Sequence, residues 1–229
     1  MTRSRSSAEE RSTRRRWAIA AIALPVAAAL IWGPKYYYGH VLGNLREVVP
    51  GLVYRSAQPS AAQLKRWQAQ YGLKTVINLR GTETTDHADE KAATERLGLR
   101  LIDLAWPQNR LFDLADVRAL HAALAQALGP YLVHCAEGID RSGAVSVLLA
   151  MSLGGEDFRT AEAQLRSAYP GIDEANDWAT GRFEEYEDYC AWKGIDPGGW
   201  TQFLKWLEGV DGSAAAPGRQ GSTAQSRAS

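Results

Sequence analysis

The chain has 229 residues, enough for one globular domain of ordinary size plus extensions. It is 45% hydrophobic and 23% charged, the balance of a folded soluble domain, and its net charge is zero. Residues 1–34 nevertheless hold six arginines against two glutamates, leaving a mildly acidic remainder that argues against nucleic acid or an anionic lipid surface as the domain's partner.

In chain order, residues 1–16 are polar and rich in Ser and Arg, and are expected to be disordered. Arg14-Arg15-Arg16 then precede an almost uncharged run from Trp17 to Trp32. Residues 17–34 are therefore expected to form a transmembrane helix, an uncleaved anchor, with a cleaved signal peptide as the rival. The sixteen-residue run covers roughly 24 Å at about 1.5 Å per residue, short of a ~30 Å hydrocarbon core, and Gly33 to Tyr38 would complete it. Ala27 and Ala29 suit cleavage, whereas Leu30-Ile31-Trp32 and the aromatic flanks favour the anchor. In both versions the arginines stay cytoplasmic and the domain is exported, to lie outside the cytoplasm.

Leu45 to Tyr54 reads as a first strand region. Ser60-Ala61-Ala62-Gln63 is a capping box that opens a helix to Tyr71. Lys74 to Leu79, with its β-branched Thr75, Val76 and Ile77, predicts a strand, Asp86 to Leu97 a polar helix, and Leu99 to Ala105 another strand. A helix over Val117 to Leu128, capped by Asp113 or Asp116, leads to a strand at Tyr131 to Val133 and a helix from Ala144 onward. Further helices are expected over Phe158 to Ala168, Asp173 to Lys193 and Gly199 to Leu207. Strands alternating with helices predict an α/β fold with a central, largely parallel sheet flanked by helices. The tail over 210–229, rich in Gly, Ser and Ala, is expected to be disordered.

The most informative segment is His134-Cys135-Ala136-Glu137-Gly138-Ile139-Asp140-Arg141-Ser142-Gly143. It lies between an apolar strand and an apolar helix. In such a loop successive N–H groups point inward, and the helix N-terminus adds positive potential, so a phosphate dianion can sit against residues 136–141. A field of that kind also favours thiolate, the nucleophilic form of cysteine. Arg141 supplies a fork that matches two phosphate oxygens, and Gly138 lets the loop turn without a Cβ clash. With Cys135 as nucleophile, Cys190 alone cannot form a disulfide framework. His40, His87, His121 and His134 are scattered, and His121 lies in an apolar helical run, so neither metal nor cofactor is expected.

The loop resembles the His-Cys-x5-Arg-Ser/Thr-Gly signature of cysteine-dependent phosphatases. Tyr54-Arg55-Ser56-Ala57-Gln58-Pro59 and Thr75-Val76-Ile77-Asn78-Leu79-Arg80-Gly81 are similar to a bacterial branch of the dual-specificity and tyrosine phosphatases. The resemblance implies a phosphatase domain over 43–209 and a phosphocysteine intermediate. It implies that Ser142 donates to the departing Cys135 thiolate, and that an aspartate protonates the leaving group. Asp103, Asp113 and Asp116 are the candidates, with Asp113 favoured; Trp106-Pro107 is followed by Gln108, where tyrosine phosphatases of the Trp-Pro-Asp type carry their acid. Glu137 and Asp140 make the loop acidic, which favours phosphotyrosine or phosphoserine/threonine in proteins, or a small phosphomonoester, over inositol polyphosphates. An inositol-phosphate or phospholipid phosphatase and a catalytically weak phosphate-binding module remain the alternatives. Arg55, Arg80 and Arg110 are candidates for the pocket rim or for the solvated surface. Cys190 is either a buried helix residue or a resolving thiol for an oxidised Cys135.

The charge asymmetry around Trp17 to Trp32 sets a testable topology. A reporter fused to the C-terminus, active only in an exported compartment, should give signal; activity of a cytoplasm-only reporter at the same position would overturn the orientation.

Overall fold

The computed structural model describes residues 42–166 and 176–214, and only isolated positions before residue 42. The segment expected to be disordered (1–16), most of the expected span (17–34) and residues 215–229 lie outside the described residues. Among the described residues no helix is long and apolar enough to cross a membrane. The chain divides into two compact units between Gly43 and Asn44, and the sheet, its helices and the site belong to the second.

Five short strands form one sheet: β1 (Arg46–Val49), β2 (Val53–Ser56), β3 (Thr75–Asn78), β4 (Arg100–Asp103) and β5 (Tyr131–His134). Their order is β1-β2-β5-β3-β4, parallel throughout except for β1, which runs antiparallel to β2. The expected first strand region is thus two strands. Pro50 and Gly51 turn the chain between them, Gly51 at φ 67°, with the Leu52 amide donating to the Val49 carbonyl at 3.0 Å. The parallel core matches the expected fold class.

Residue alternation splits the sheet's side chains between two layers. Val53, Ile77 and Val133 join one apolar core; their neighbours Tyr54, Val76 and Leu132 join another. The second layer is closed by α1 (Ala61–Tyr71) and α2 (His87–Leu97), which contribute Leu64, Trp67 and Ala93. Ser60 and Gln63 form the expected capping box, and Gly72 ends α1 at φ 66°. The first layer is closed by α3 (Leu114–Ala125), α4 (Asp140–Ser152) and the C-terminal helices. Helix α4 is buried from Ser142 through Met151, so its sequence after Arg141, uncharged and mostly apolar, reflects a helix enclosed on all sides.

Several boundaries differ from expectation for physical reasons. Helix α3 begins at Leu114, three residues before Val117, because Asp113 caps it. The helix expected over Phe158 to Ala168 is a single turn, α5 (Phe158–Ala161), followed by a 3-10 turn over Glu162–Leu165. The carbonyls that would continue the helix accept from arginines instead: Gln164 from Arg55, and Arg166 from Arg46 at 2.9 Å. Residues 167 and 168 of that expected helix, and 173–175 of the next, lie outside the described residues. The chain resumes in α6 (Asp177–Lys193) and α7 (Trp200–Ala214). The last helix therefore runs past both Leu207 and residue 210, where a disordered tail was expected. Phe158, Phe183, Tyr186, Phe203 and Trp206 join α5, α6 and α7 in one aromatic cluster, with ring centroids 5.1–6.0 Å apart in contacts such as Tyr186 on Phe203 and Phe158 on Phe183.

Candidate active site

The register of the parallel strands aligns their carboxyl ends. Ser56 and Asn78 both pair with His134, and Asp103 pairs with Asn78, so four polar residues end the strands along one edge. This edge is where an open α/β sheet leaves room for a ligand. Cys135 follows β5 directly, and the loop 135–139 runs from the sheet into the N-terminus of α4.

The geometry within the loop converges on the sulfur. The Gly138 amide donates to Cys135 Sγ at 3.3 Å, and Ser142 Oγ lies 3.4 Å from it. Arg141 Nη1 donates to the Leu79 carbonyl at 3.3 Å, which orients the guanidinium from the neighbouring strand end. Leu79 O also accepts from the Trp106 amide at 3.2 Å, so the loop after β4 is tied to the same anchor. Gly138 has φ 74°, and a Cβ placed there would stand 2.5 Å from the Ala57 nitrogen and 2.6 Å from the Ser56 carbonyl carbon. Neither contact is tolerable, so the position requires glycine twice over. Cys135, Ser142 and Gly138 are in contact, and Arg141 follows in the first turn of α4, bonded to the Leu79 carbonyl. Ala136 and Glu137 are exposed, Ile139 is buried, and Asp140 is half-buried, its carboxylate accepting from the Asn176 amide and side chain at 2.9 and 3.0 Å.

The three candidate acids have separate surroundings. Asp103 is gripped by Asn78 Nδ2 and by His87 Nε2, each at 2.9 Å. Asp116 accepts both Arg110 nitrogens, at 2.7 and 2.9 Å, and the Asp113 amide at 2.9 Å. That pairing pushes the Arg110 guanidinium above its ordinary pKa. Asp113 caps α3: one oxygen accepts from the Asp116 amide at 3.0 Å, while the other stands 3.4 Å from Arg110.

The remaining candidates resolve plainly. Arg55 is wholly buried and donates to the Gln164 and Arg166 carbonyls. Arg80 lies near the strand ends and donates to Gln58 Oε1 at 2.7 Å and to Asp86 at 2.9 Å. His121 bonds the Val117 carbonyl at 2.9 Å, and its ring lies 4.8 Å from that of Trp200. Cys190 is a buried free thiol inside the aromatic cluster. Burial, and then the Cys190 thiol beside it, push the Tyr186 hydroxyl above its ordinary pKa. Among the described residues no group of three or more His, Cys, Asp or Glu is arranged to hold a metal ion.

Two partners of the loop were not singled out from sequence. Glu90 of α2 reaches His134 Nε2 at 2.6 Å, with both side chains buried. Strand alternation makes this possible, since His134 shares a face with Leu132, toward α2. Asn44 donates through Nδ2 to the Glu137 carbonyl at 2.9 Å and to the Gly138 carbonyl at 3.2 Å. No local pattern marks either residue, because each meets the loop only across a long sequence separation.

A thiol that accepts from the Gly138 amide and faces the Ser142 hydroxyl, in a loop that opens a helix carrying Arg141 in its first turn, suits transfer of a phosphoryl group to sulfur, which is the chemistry of a cysteine-dependent phosphatase. Residues 43–172, more than half of the chain, match the family described as DSP-PTPase phosphatase fused to NAD+ kinase, and the chain belongs to that family. It is a phosphomonoester hydrolase of the dual-specificity and tyrosine phosphatase type. Among solved structures it is similar to the catalytic core of Siw14, a PP-IP phosphatase of S. cerevisiae, at 20% identity and a TM-score of 0.50, covering 69% of this chain and 95% of that one. It is similar also to TpbA of P. aeruginosa, at 24% identity and a TM-score of 0.48, covering 73% of this chain and 89% of that one. No curated protein matches the chain.

Arg141→Lys tests the clamp. Lysine keeps the charge but loses the bidentate fork, and loss of such a donor costs about 10²–10³ in rate. A kcat/KM within a few-fold of wild type would remove Arg141 from the role.

Proposed function

We propose that the enzyme acts on phosphotyrosine and phosphoserine or phosphothreonine in proteins, with Asp113 as general acid. In the first step the Cys135 thiolate attacks phosphorus. The S–P bond forms as the P–O ester bond breaks, and Asp113 gives its proton to the departing oxygen. Arg141 and the amides of residues 136–141 hold the phosphoryl oxygens. In the second step Asp113 takes a proton from water, the water oxygen bonds to phosphorus, and the S–P bond breaks. Ser142, 3.4 Å from the sulfur, donates to the thiolate that leaves.

The choice of Asp113 rests on occupancy. A general acid must present an oxygen to the leaving group, so a carboxylate whose two oxygens both already accept from neighbouring side chains is poorly suited. Both oxygens of Asp103 and of Asp116 are so engaged, whereas Asp113 Oδ2 has only a long contact with a half-exposed Arg110.

The observation that carries the substrate class is the acidic loop. Glu137 is exposed beside the cradle, and its charge opposes a ligand with several phosphates while tolerating a single ester. The Arg-flanked apolar run from Trp17 to Trp32 supports an exported enzyme held at, or released from, a membrane.

Phosphate release from phosphopeptides should exceed that from inositol phosphates and phospholipids, and Cys135→Ser should abolish it while tungstate still protects the fold against heat. Preference for inositol phosphates would move the enzyme to the other substrate class, and activity surviving in Cys135→Ser would end the phosphocysteine mechanism. Asp113→Asn should slow esters with poor leaving groups far more than activated aryl phosphates, since the latter leave with little protonation. Equal slowing of all esters would make Asp113 a helix cap alone, and the selective pattern in Asp103→Asn or Asp116→Asn would transfer the role.

A further inference from the structure

The Tyr54-Arg55-Ser56-Ala57-Gln58-Pro59 stretch and Asn44 supply no chemistry of their own, yet they surround the outer side of the loop. The Gln58 amide donates to the Ala136 carbonyl at 3.0 Å. The Asn44 carboxamide donates to the next two, those of Glu137 and Gly138, at 2.9 and 3.2 Å. Three consecutive carbonyls are therefore held on the side away from the sulfur. A trans peptide is planar, with its C=O and the following N–H pointing in opposite directions. Holding these three oxygens outward aims the N–H groups of Glu137, Gly138 and Ile139 inward. The Gly138 N–H, 3.3 Å from Cys135 Sγ, shows that direction independently.

Asn44 is suited to this in two respects. Facing two carbonyls, only the NH₂ end of a carboxamide forms bonds, so the acceptors themselves set its orientation. The residue is buried and has φ 48°, in the left-handed region that asparagine enters more readily than most side chains. Its Oδ1 is buried with no hydrogen-bond partner, so the side chain bears a cost that its two loop contacts offset.

We propose that Asn44 is a positioning residue for catalysis, which fixes the inward amides of the anion cradle by holding the Glu137 and Gly138 carbonyls outward. The proposal rests on the loop being the phosphate site. Asn44→Asp keeps the size but sets a carboxylate oxygen against two carbonyls; Asn44→Ala removes the donor without adding charge. Thr75→Val serves as the control, since it removes a partly buried hydrogen bond to the Leu128 carbonyl at the opposite end of β3 (2.8 Å).

Tungstate inhibition, kcat and thermal unfolding are measured on the full chain. In Asn44→Asp, tungstate inhibition should weaken at least about tenfold and kcat fall by about 10²-fold, the scale of a misplaced reacting geometry. Asn44→Ala should move both in the same direction by a smaller factor. Thr75→Val should lower the unfolding temperature with kcat and tungstate inhibition within about threefold of wild type, a band well below the loss of one oxyanion donor. If Asn44→Asp fails to fold, Asn44→Ala decides. A folded Asn44 variant with reduced unfolding temperature but unchanged kcat and tungstate inhibition would overturn the proposal and leave Asn44 a purely structural residue. A wild-type chain that binds no tungstate would overturn the assignment of the loop itself, and this proposal with it.

Discussion

The close approach of the loop to the end of β2 is the constraint on which the site depends. At Gly138 the backbone comes so near the Ser56-Ala57 peptide that no side chain fits, and the Gln58 amide bonds the loop one step further on. That contact exists because β2 and β5 are parallel neighbours in register, with Ser56 beside His134. The sheet thus does more than carry the nucleophile to its edge. One strand delivers Cys135, the adjacent strand presses the loop into shape, and the strand on the other side offers the Leu79 carbonyl that orients Arg141.

The two faces of the sheet contribute differently to this loop. Toward α4 the side chains are apolar apart from the buried Arg55, and they seat a helix whose N-terminus opens directly from the Cys135 loop. Toward α2 the buried His134 and Glu90 meet at 2.6 Å. A polar pair in the core is costly unless each partner satisfies the other. Here the pair lies one residue before Cys135 and meets that condition only in part, since the two side chains approach closely without completing a hydrogen bond. Arg55 has a related role at longer range, drawing the 162–166 turn against the start of α4 and, in doing so, ending the helix begun at Phe158.

The three aspartates near the loop after β4 illustrate how surroundings divide identical side chains. Asp103 is absorbed by Asn78 and His87 at the sheet edge, and Asp116 by Arg110 and the reciprocal cap. Asp113 caps the same helix with one oxygen and keeps the other lightly engaged. Capping uses one oxygen of a carboxylate, so the other is left to a different partner.

Sequence by itself determined the local and periodic features. The Cys135 loop, the β-branched and apolar runs of Thr75 to Ile77 and Tyr131 to Val133, the Ser60–Gln63 box and the enclosed helix after Arg141 are set by neighbours close in the chain, and local sterics and hydrogen bonding decide them. Cys135, Gly138 and Arg141 stand out for the same reason, as they fall within one turn-and-helix unit and their spacing is local. Tertiary structure decided what depends on residues far apart. Arg55 and Arg46 ended a helix that periodicity alone would have continued, and Asp113 captured the first turn of α3 three residues early. Asn44 and Glu90 reached the loop from 94 and 44 residues away, where no local rule relates their side chains to it. Their partners are backbone carbonyls and a buried imidazole, which become available only once the strands are in register and the helices have closed over the sheet.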